Sequence, residues 1–285
     1  MYKLELSSSV GVPTTIPQGL KDGRFRYKFN PKYEEQLIAL KKAGINNIEF
    51  GFGGSLYADD VVKNFKQALK LVKKHKLNIT SVHFPFNAMW IDLATEYQAD
   101  RKEIVKWIAN FFKYFDKYDI KAYVFHPGGN SISENEWEKS MEYLCSAAED
   151  LAKLTKVPIC IENMVLGRMT NTIDKIVAFA EKAPNAYVVL DTNHYLTERP
   201  EDAILRLGNR IKALHISDNN FVVEQHKMPG DGLNDWNKII GALETIGYDG
   251  MFNYEVNMNH KGYTCEGIVE NYNKLFDEYN KSEQQ

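Results

Sequence analysis

Short apolar runs of four to seven residues recur along this chain and alternate with longer segments of helical periodicity. That alternation is the pattern of repeated βα units around a parallel sheet, because a run this short suits a strand and each parallel strand needs a crossover helix. Eight runs read as strands, over 3–8, 45–50, 78–84, 120–126, 157–162, 186–191, 211–216 and 250–256. Helical spacing is read over 59–76, 98–118, 134–155, 172–183, 235–246 and 263–280. The first of these opens on Asp59 and Asp60 and closes on lysines and His75, charges that suit the two ends of a helix dipole. No Pro/Gly/Ser linker or low-complexity tract interrupts the series. The expectation is one (β/α)8 TIM barrel domain over residues 1–285, a length that accommodates the roughly 250 residues such a barrel needs. The Gly/Pro-containing stretch 11–31 is expected to be a loop over the barrel top that shapes a pocket, and the tail NKSEQQ to fray.

Composition narrows the classes of function. No apolar stretch approaches the roughly 20 residues that span a bilayer, so a membrane protein is not expected. The amino terminus, MYKLELSSSVGVP, lacks the long apolar core and small-residue cleavage pattern of a secretory signal, and a cytoplasmic location is expected. Cys145, Cys160 and Cys265 are odd in number and widely spaced, which suits buried reduced thiols better than a disulfide framework or a thiolate zinc site. Net charge is −3 with both signs interspersed, leaving no long basic face to neutralise phosphates along a duplex. Nucleic acid is therefore not an expected partner.

The chemistry concentrates where the apolar runs end. His83, His126, Glu162, Asp191, His215 and Glu255 each lie at or just past the end of a run, and the carboxyl ends of barrel strands form the active-site face. Glu162, Asp191, His215 and Glu255 come from runs five to eight, so in a closed barrel they converge from one arc. Three buried carboxylates repel one another unless a cation or protons neutralise them. Together with one imidazole they suit a divalent ion such as Mn2+, Mg2+ or Co2+, with Zn2+ as the alternative. Ion pairing with Arg or Lys is the competing structural explanation. A second layer of His83, His126, His194, Glu224 and His226 is expected to face a substrate, although a lone histidine beside a Phe is commonly a satisfied structural residue. Phe84, Phe86, Trp90 and Trp236 are candidates for the pocket wall or for plain core packing, while His75 and His260 are expected to stay out of the chemistry.

The segments SVHFPF, VFHPGG, IENM, LDTNH, LHISDNN, EQHKMPGDGLNDW and YDGMFNYEV, in this order and spacing, resemble the xylose isomerase-like barrel superfamily. That group includes sugar isomerases and epimerases and the endonuclease IV type of DNA repair enzyme. The ketose 3-epimerase branch implies a single-metal site at Glu162, Asp191, His215 and Glu255, with His194 near the substrate. It implies proton transfer at a carbon next to a carbonyl through an ene-diolate, with Glu162 and Glu255 on opposite faces. The expected substrate is then a small carbohydrate, with assembly into a homo-oligomer left open. Phe221 departs from the branch, which tends to carry a substrate-contacting arginine there.

Two alternatives stand beside this reading. The endonuclease IV branch holds three zinc ions with nine ligands, and His83, His126, Glu162, Asp191, His194, His215, Glu224, His226 and Glu255 fall in the matching segments, with Glu224 in place of an aspartate. A polyol or inosose-type dehydratase would use the same enolisation followed by loss of a hydroxyl, and fold alone does not separate it from an isomerase.

Overall fold

The apolar runs fold as strands and the periodic segments as helices in a computed structural model that describes residues 1–54, 58–85, 91–129, 133–165 and 169–283. In chain order the elements are β1 (Glu5–Ser9), β2 (Thr15–Lys21), β3 (Arg24–Phe29), α1 (Lys32–Lys42), β4 (Asn47–Gly51), α2 (Asp59–Lys74), β5 (Asn78–His83), α3 (Gln98–Phe112), β6 (Ala122–Phe125) and α4 (Glu134–Ala152). They continue with β7 (Ile159–Glu162), α5 (Ile173–Lys182), β8 (Tyr187–Asp191), α6 (Pro200–Leu207), β9 (Ile211–His215), α7 (Trp236–Thr245), β10 (Met251–Tyr254) and α8 (Cys265–Ser282). Eight strands form one parallel sheet in the order β10-β1-β4-β5-β6-β7-β8-β9. Its two ends meet where Ile216 bridges Tyr254 and the Glu255 amide donates to the Ile216 carbonyl at 3.0 Å. The architecture is therefore a single (β/α)8 barrel. Among the described residues no helix is long and apolar enough to cross a membrane. The three cysteines are buried and unpaired.

Strand alternation divides the core in two. Tyr123, Phe125, Ile159, Ile161, Val188, Leu190 and Leu214 point outward and join the large cluster beneath the helices. Their neighbours Ala122, Val124, Cys160, Val189 and Ala213 point inward and form a separate, small-sided cluster that plugs this half of the barrel. The helices cover the sheet with stripes at helical spacing, such as Tyr33, Leu37 and Leu40 on α1 and Val61, Phe65, Ala68 and Val72 on α2.

Residues 11–31 are not the expected open loop. β2 and β3 pair antiparallel across a two-residue turn at Asp22 and Gly23, whose φ values of 51° and 71° are those of the hairpin turn that favours Asp-Gly. The hairpin leans on α2, where Asn64 Nδ2 donates to the Tyr27 carbonyl at 3.4 Å, and on the β4 end, where Thr15 Oγ1 donates to the Gly53 carbonyl at 3.2 Å. Helices α1 and α6 complete the units for which no periodic segment was assigned. Both are short, 11 and 8 residues, with acids in the first turn and bases in the last.

Phe50 shows how β4 is held. Its ring is fully buried, with centroids 5.6 Å from Phe65 and 5.9 Å from Phe115. Phe50→Ala should cost about 3–5 kcal/mol in chemical denaturation. Leu20→Ala on the exposed hairpin strand, a residue 67% exposed, should change stability by about 0.5 kcal/mol or less. Equal losses at both positions would contradict this division of the core.

Candidate active site

Because side chains on one face of a strand repeat every second residue, the inward layer of the barrel predicts the layer above it. Val124, Cys160, Val189 and Ala213 are followed two residues on by His126, Glu162, Asp191 and His215. Ser81 and Asn253 are followed in the same way by His83 and Glu255, and β1 and β4 add Ser9 and Glu49. The small apolar plug thus supports a ring of acids and imidazoles at the carboxyl ends of the strands. Above it opens a cavity of about 430 Å3 lined by Glu49, His83, His126, Glu162, His194, Glu224, His226 and Glu255. Val10, Val12, Pro13, Phe52 and Val256 form its apolar wall. Asp191 and His215 are fully buried.

His215 is the hub. Its Nδ1 lies 2.9 Å from Glu255 Oε2, 3.0 Å from Glu162 Oε1 and 4.0 Å from Asp191 Oδ2, and its Nε2 lies 3.2 Å from Glu49. Glu162 Oε2 in turn meets His126 Nε2 at 3.1 Å and His83 Nε2 at 3.5 Å. His194 Nε2 stands 3.3 Å from Asp191 Oδ2 and 3.5 Å from Glu224 Oε1, while His226 Nε2 contacts the same Glu224 oxygen at 3.0 Å. All nine residues singled out from the sequence therefore meet in one contiguous cluster.

Buried amides hold the loops in place. Asn163 accepts from the Asp191 amide at 2.7 Å and donates to the Asp191 carbonyl at 2.9 Å. Asn193 Oδ1 accepts from the Gln225 and His226 amides at 3.1 and 3.0 Å, which fixes the strap carrying Glu224 and His226. His226 is held at φ 47°, a conformation rare for a side-chain-bearing residue. Asp218 closes the following turn, accepting from the Gly230 amide at 2.8 Å and the Trp236 indole at 2.9 Å. A Cβ at Gly232 would come within 2.3 Å of the Asn219 carbonyl and the Asp218 carboxylate, so this turn admits only glycine.

The comparisons with known proteins bear on this geometry. The family model described as xylose isomerase-like TIM barrel matches residues 37–273. The chain belongs to this family. An uncharacterised protein of Methanocaldococcus jannaschii is 24% identical over 212 residues, 73% of this chain and 81% of the relative. The D-psicose 3-epimerase of Ruminiclostridium cellulolyticum is 32% identical over 123 residues, 41% of this chain and 40% of that one. A D-tagatose 3-epimerase-like protein superposes with TM-score 0.74 at 20% identity, covering 98% of this chain and 99% of its own. A structure described as IOLI protein with a binding zinc atom superposes with TM-score 0.71 at 16% identity, with coverages of 98% and 99%.

In this xylose isomerase-like barrel the donor set fits a cation. Glu162, Asp191, His215 and Glu255 each offer a ligand atom, all within 4.8 Å of one another. Glu162 Oε2 and Asp191 Oδ2 are buried with imidazoles nearby but no aligned hydrogen bond, leaving lone pairs for a cation to take up. Two trios flank the set, His83, His126 and Glu162 on one side and Asp191, His194 and His226 on the other.

Of the aromatics expected in the pocket wall or the core, Phe84 lies in the outer core, stacked on Phe125 at 4.6 Å, and Trp236 is buried and donates to Asp218, whereas Phe52 lines the cavity. Phe86 and Trp90 lie outside the described residues. Phe221 does not stand alone, since the Arg199 guanidinium covers its ring at 4.1 Å. Glu49, absent from the sequence reading, belongs to the cluster; its signal was an acid one residue before the end of the run INNIEF. His75 contacts Glu34 and His260 the Gln225 carbonyl, and neither lines the cavity.

Burial opposes charge throughout the cluster, and neighbours decide the outcome. Burial raises the Asp191 carboxyl to about 7, with Glu255 adding to the rise against the pull of His194. At His194 burial is outweighed by Asp191 and Glu224, which bring it to about 10, and at His226 by Glu224 and Asp191, which bring it to about 9. Burial wins at His126, which is lowered. Hydrogen bonds from His194 and His226 hold Glu224 far below the usual carboxylate range. Raised imidazole values stabilise the fold fully below the unfolded value of about 6.5, and that contribution disappears as pH climbs through the folded values. In EDTA, the melting temperature should therefore fall between pH 7 and about 10, and less steeply in His226→Gln. A flat wild-type profile would show that these imidazoles are neutral.

Proposed function

We propose that this protein is a divalent-metal-dependent sugar isomerase or epimerase that moves a proton at a carbon next to a carbonyl. The observation that carries the reading is the pair Glu162 and Glu255, whose carboxylates approach one nitrogen, His215 Nδ1, at 3.0 and 2.9 Å beneath the cavity. The names of its relatives, a D-psicose 3-epimerase and a D-tagatose 3-epimerase-like protein, support the same class, and the zinc of the IOLI protein supports a metal centre. A bound Mn2+, Mg2+, Co2+ or Zn2+ ion would supply polarisation of the carbonyl and hydroxyl oxygens of the sugar.

The chain's own groups divide the remaining work. Glu255, with 29% of its side chain exposed, takes a proton from one face, and buried Glu162, entering turnover protonated, gives one from the other face to leave an epimer. Glu255 ends protonated and Glu162 ionised, and the pair resets by exchange with solvent. Return to the neighbouring carbon would instead give aldose–ketose isomerisation. Burial raises the Glu255 carboxyl, but the adjoining His215 ring outweighs it and lowers the group below its ordinary range, the direction in which a bound cation would also act, so at neutral pH it is a charged acceptor. Glu224, His194 and His226 form a hydrogen-bonding edge for sugar hydroxyls, with His83 and His126 facing them. The wall of Val10, Val12, Phe52 and Val256 covers the carbon skeleton and keeps water from the ene-diolate.

The two flanking histidine-acid trios favour a second reading, a three-zinc phosphodiesterase, and loading the protein with Mn2+ and Zn2+ before elemental mass spectrometry separates the two. About one ion per chain is expected; about three zinc ions with cleavage of abasic DNA would overturn the proposal. Ketoses incubated in D2O should gain deuterium beside the carbonyl. Glu255→Gln should slow that exchange by about 100-fold or more while leaving the melting temperature nearly unchanged. Near wild-type exchange in the variant would exclude the two-glutamate mechanism, and a dehydrated product would reassign the reaction to a dehydratase.

A further inference from the structure

Glu49 is a carboxylate that the mechanism above does not use. It stands on β4 at 2% exposure, and both of its oxygens lie 3.2 Å from His215 Nε2, the ring nitrogen turned away from Glu162, Asp191 and Glu255. Each oxygen has its own hydroxyl donor: Ser9 Oγ donates to Oε1 and Ser81 Oγ to Oε2, both at 2.9 Å. Ser9 is itself anchored by the Asn253 amide, which donates to its Oγ at 3.2 Å. Strands β1, β4, β5 and β10 thus aim one carboxylate at one nitrogen carried by β9. With a hydroxyl on each oxygen, the lone pairs left over are those that face the imidazole.

A neutral imidazole exists as two tautomers, and only the one protonated at Nε2 offers a lone pair at Nδ1. A carboxylate that accepts from one ring nitrogen selects that tautomer, fixes the ring and makes the other nitrogen a better donor. We infer that Glu49 is a positioning residue for His215, accepting its Nε2–H so that the Nδ1 lone pair faces Glu162, Asp191 and Glu255 and binds a divalent cation more tightly. The inference rests on the metal reading of that cluster. A purely structural Glu49 would tie β1, β4 and β5 together through the two serines, and its loss would lower stability without touching metal affinity.

Competition against a chelator, with Co2+ as the probe, tests this in wild type, Glu49→Gln, Glu49→Asp and the Ser9→Ala/Ser81→Ala double variant. Glu49→Gln should weaken Co2+ binding about 10- to 100-fold. Glu49→Asp should recover part of the loss, and the serine pair should weaken binding in the same direction by less. In the Co2+-loaded wild type, the proton spectrum should show a strongly shifted imidazole N–H that disappears in D2O, and Glu49→Gln should displace or broaden it. Unchanged affinity and an unchanged resonance in Glu49→Gln, with only the melting temperature lowered, would overturn the inference. If Glu49→Gln does not fold, unchanged affinity in the serine pair does so instead. A wild type that takes up no Co2+ would refute the metal reading itself, a result distinct from retained binding in the variants.

Discussion

Four carboxylates share the mouth of one barrel at a cost that positive charge or protons must offset, and the His215 imidazole stands at their centre. Glu49, Glu162, Asp191 and Glu255 all lie within 4.0 Å of its two nitrogens. Burial alone would keep this ring neutral, yet Glu255, Glu49 and Glu162 outweigh it and hold the ring protonated well above its ordinary range. The dependence is mutual: burial would raise the Glu162 carboxyl, and the facing imidazoles of His215 and His126 lower it instead. A divalent ion in the same place would do the same work with two charges. The metal proposal and the protonated ring are thus two solutions to one electrostatic problem.

The rest of the barrel keeps that hub in position. Below it, Ala122, Val124, Cys160, Val189 and Ala213 are small enough to fill the closed barrel without displacing the ring of polar side chains above. Beside it, Asn163 and Asn193 satisfy backbone groups of Asp191 and of the Glu224–His226 strap. These amides touch no reacting group, yet they hold the loops that carry the cluster. Outside the sheet, the aromatic packing around Phe50 keeps β4 in register and so keeps Glu49 on the inner face.

The cavity is divided chemically as well as geometrically. Acids and imidazoles form its floor and one side, and Val10, Val12, Pro13, Phe52 and Val256 form the other. A carbohydrate has both characters, hydroxyls along its edges and C–H groups on its faces. The second wall depends in part on the segment between β1 and the β2–β3 hairpin. That hairpin was signalled by Asp22-Gly23 between runs of alternating polarity, yet Gly and Pro elsewhere in the stretch gave it the look of a loop.

By itself the sequence determined the βα repeat, the barrel and the strand ends where chemistry gathers, because apolar spacing is set residue by residue and strand alternation carries it upward. IENM, LDTNH and YDGMFNYEV announced Glu162, Asp191, His194 and Glu255 because each acid or imidazole stands out against an apolar run. Tertiary structure alone decided which face of each element is used. Glu49 lies inside an apolar run, so its inward direction emerges only when β4 pairs with β1 and β5. Phe84 and Trp236 read equally as pocket wall or as core packing, and the tertiary structure places them in the outer core and against Asp218. The physical reason is that a contact between residues 166 positions apart, such as Glu49 with His215, depends on barrel closure, which no local pattern encodes.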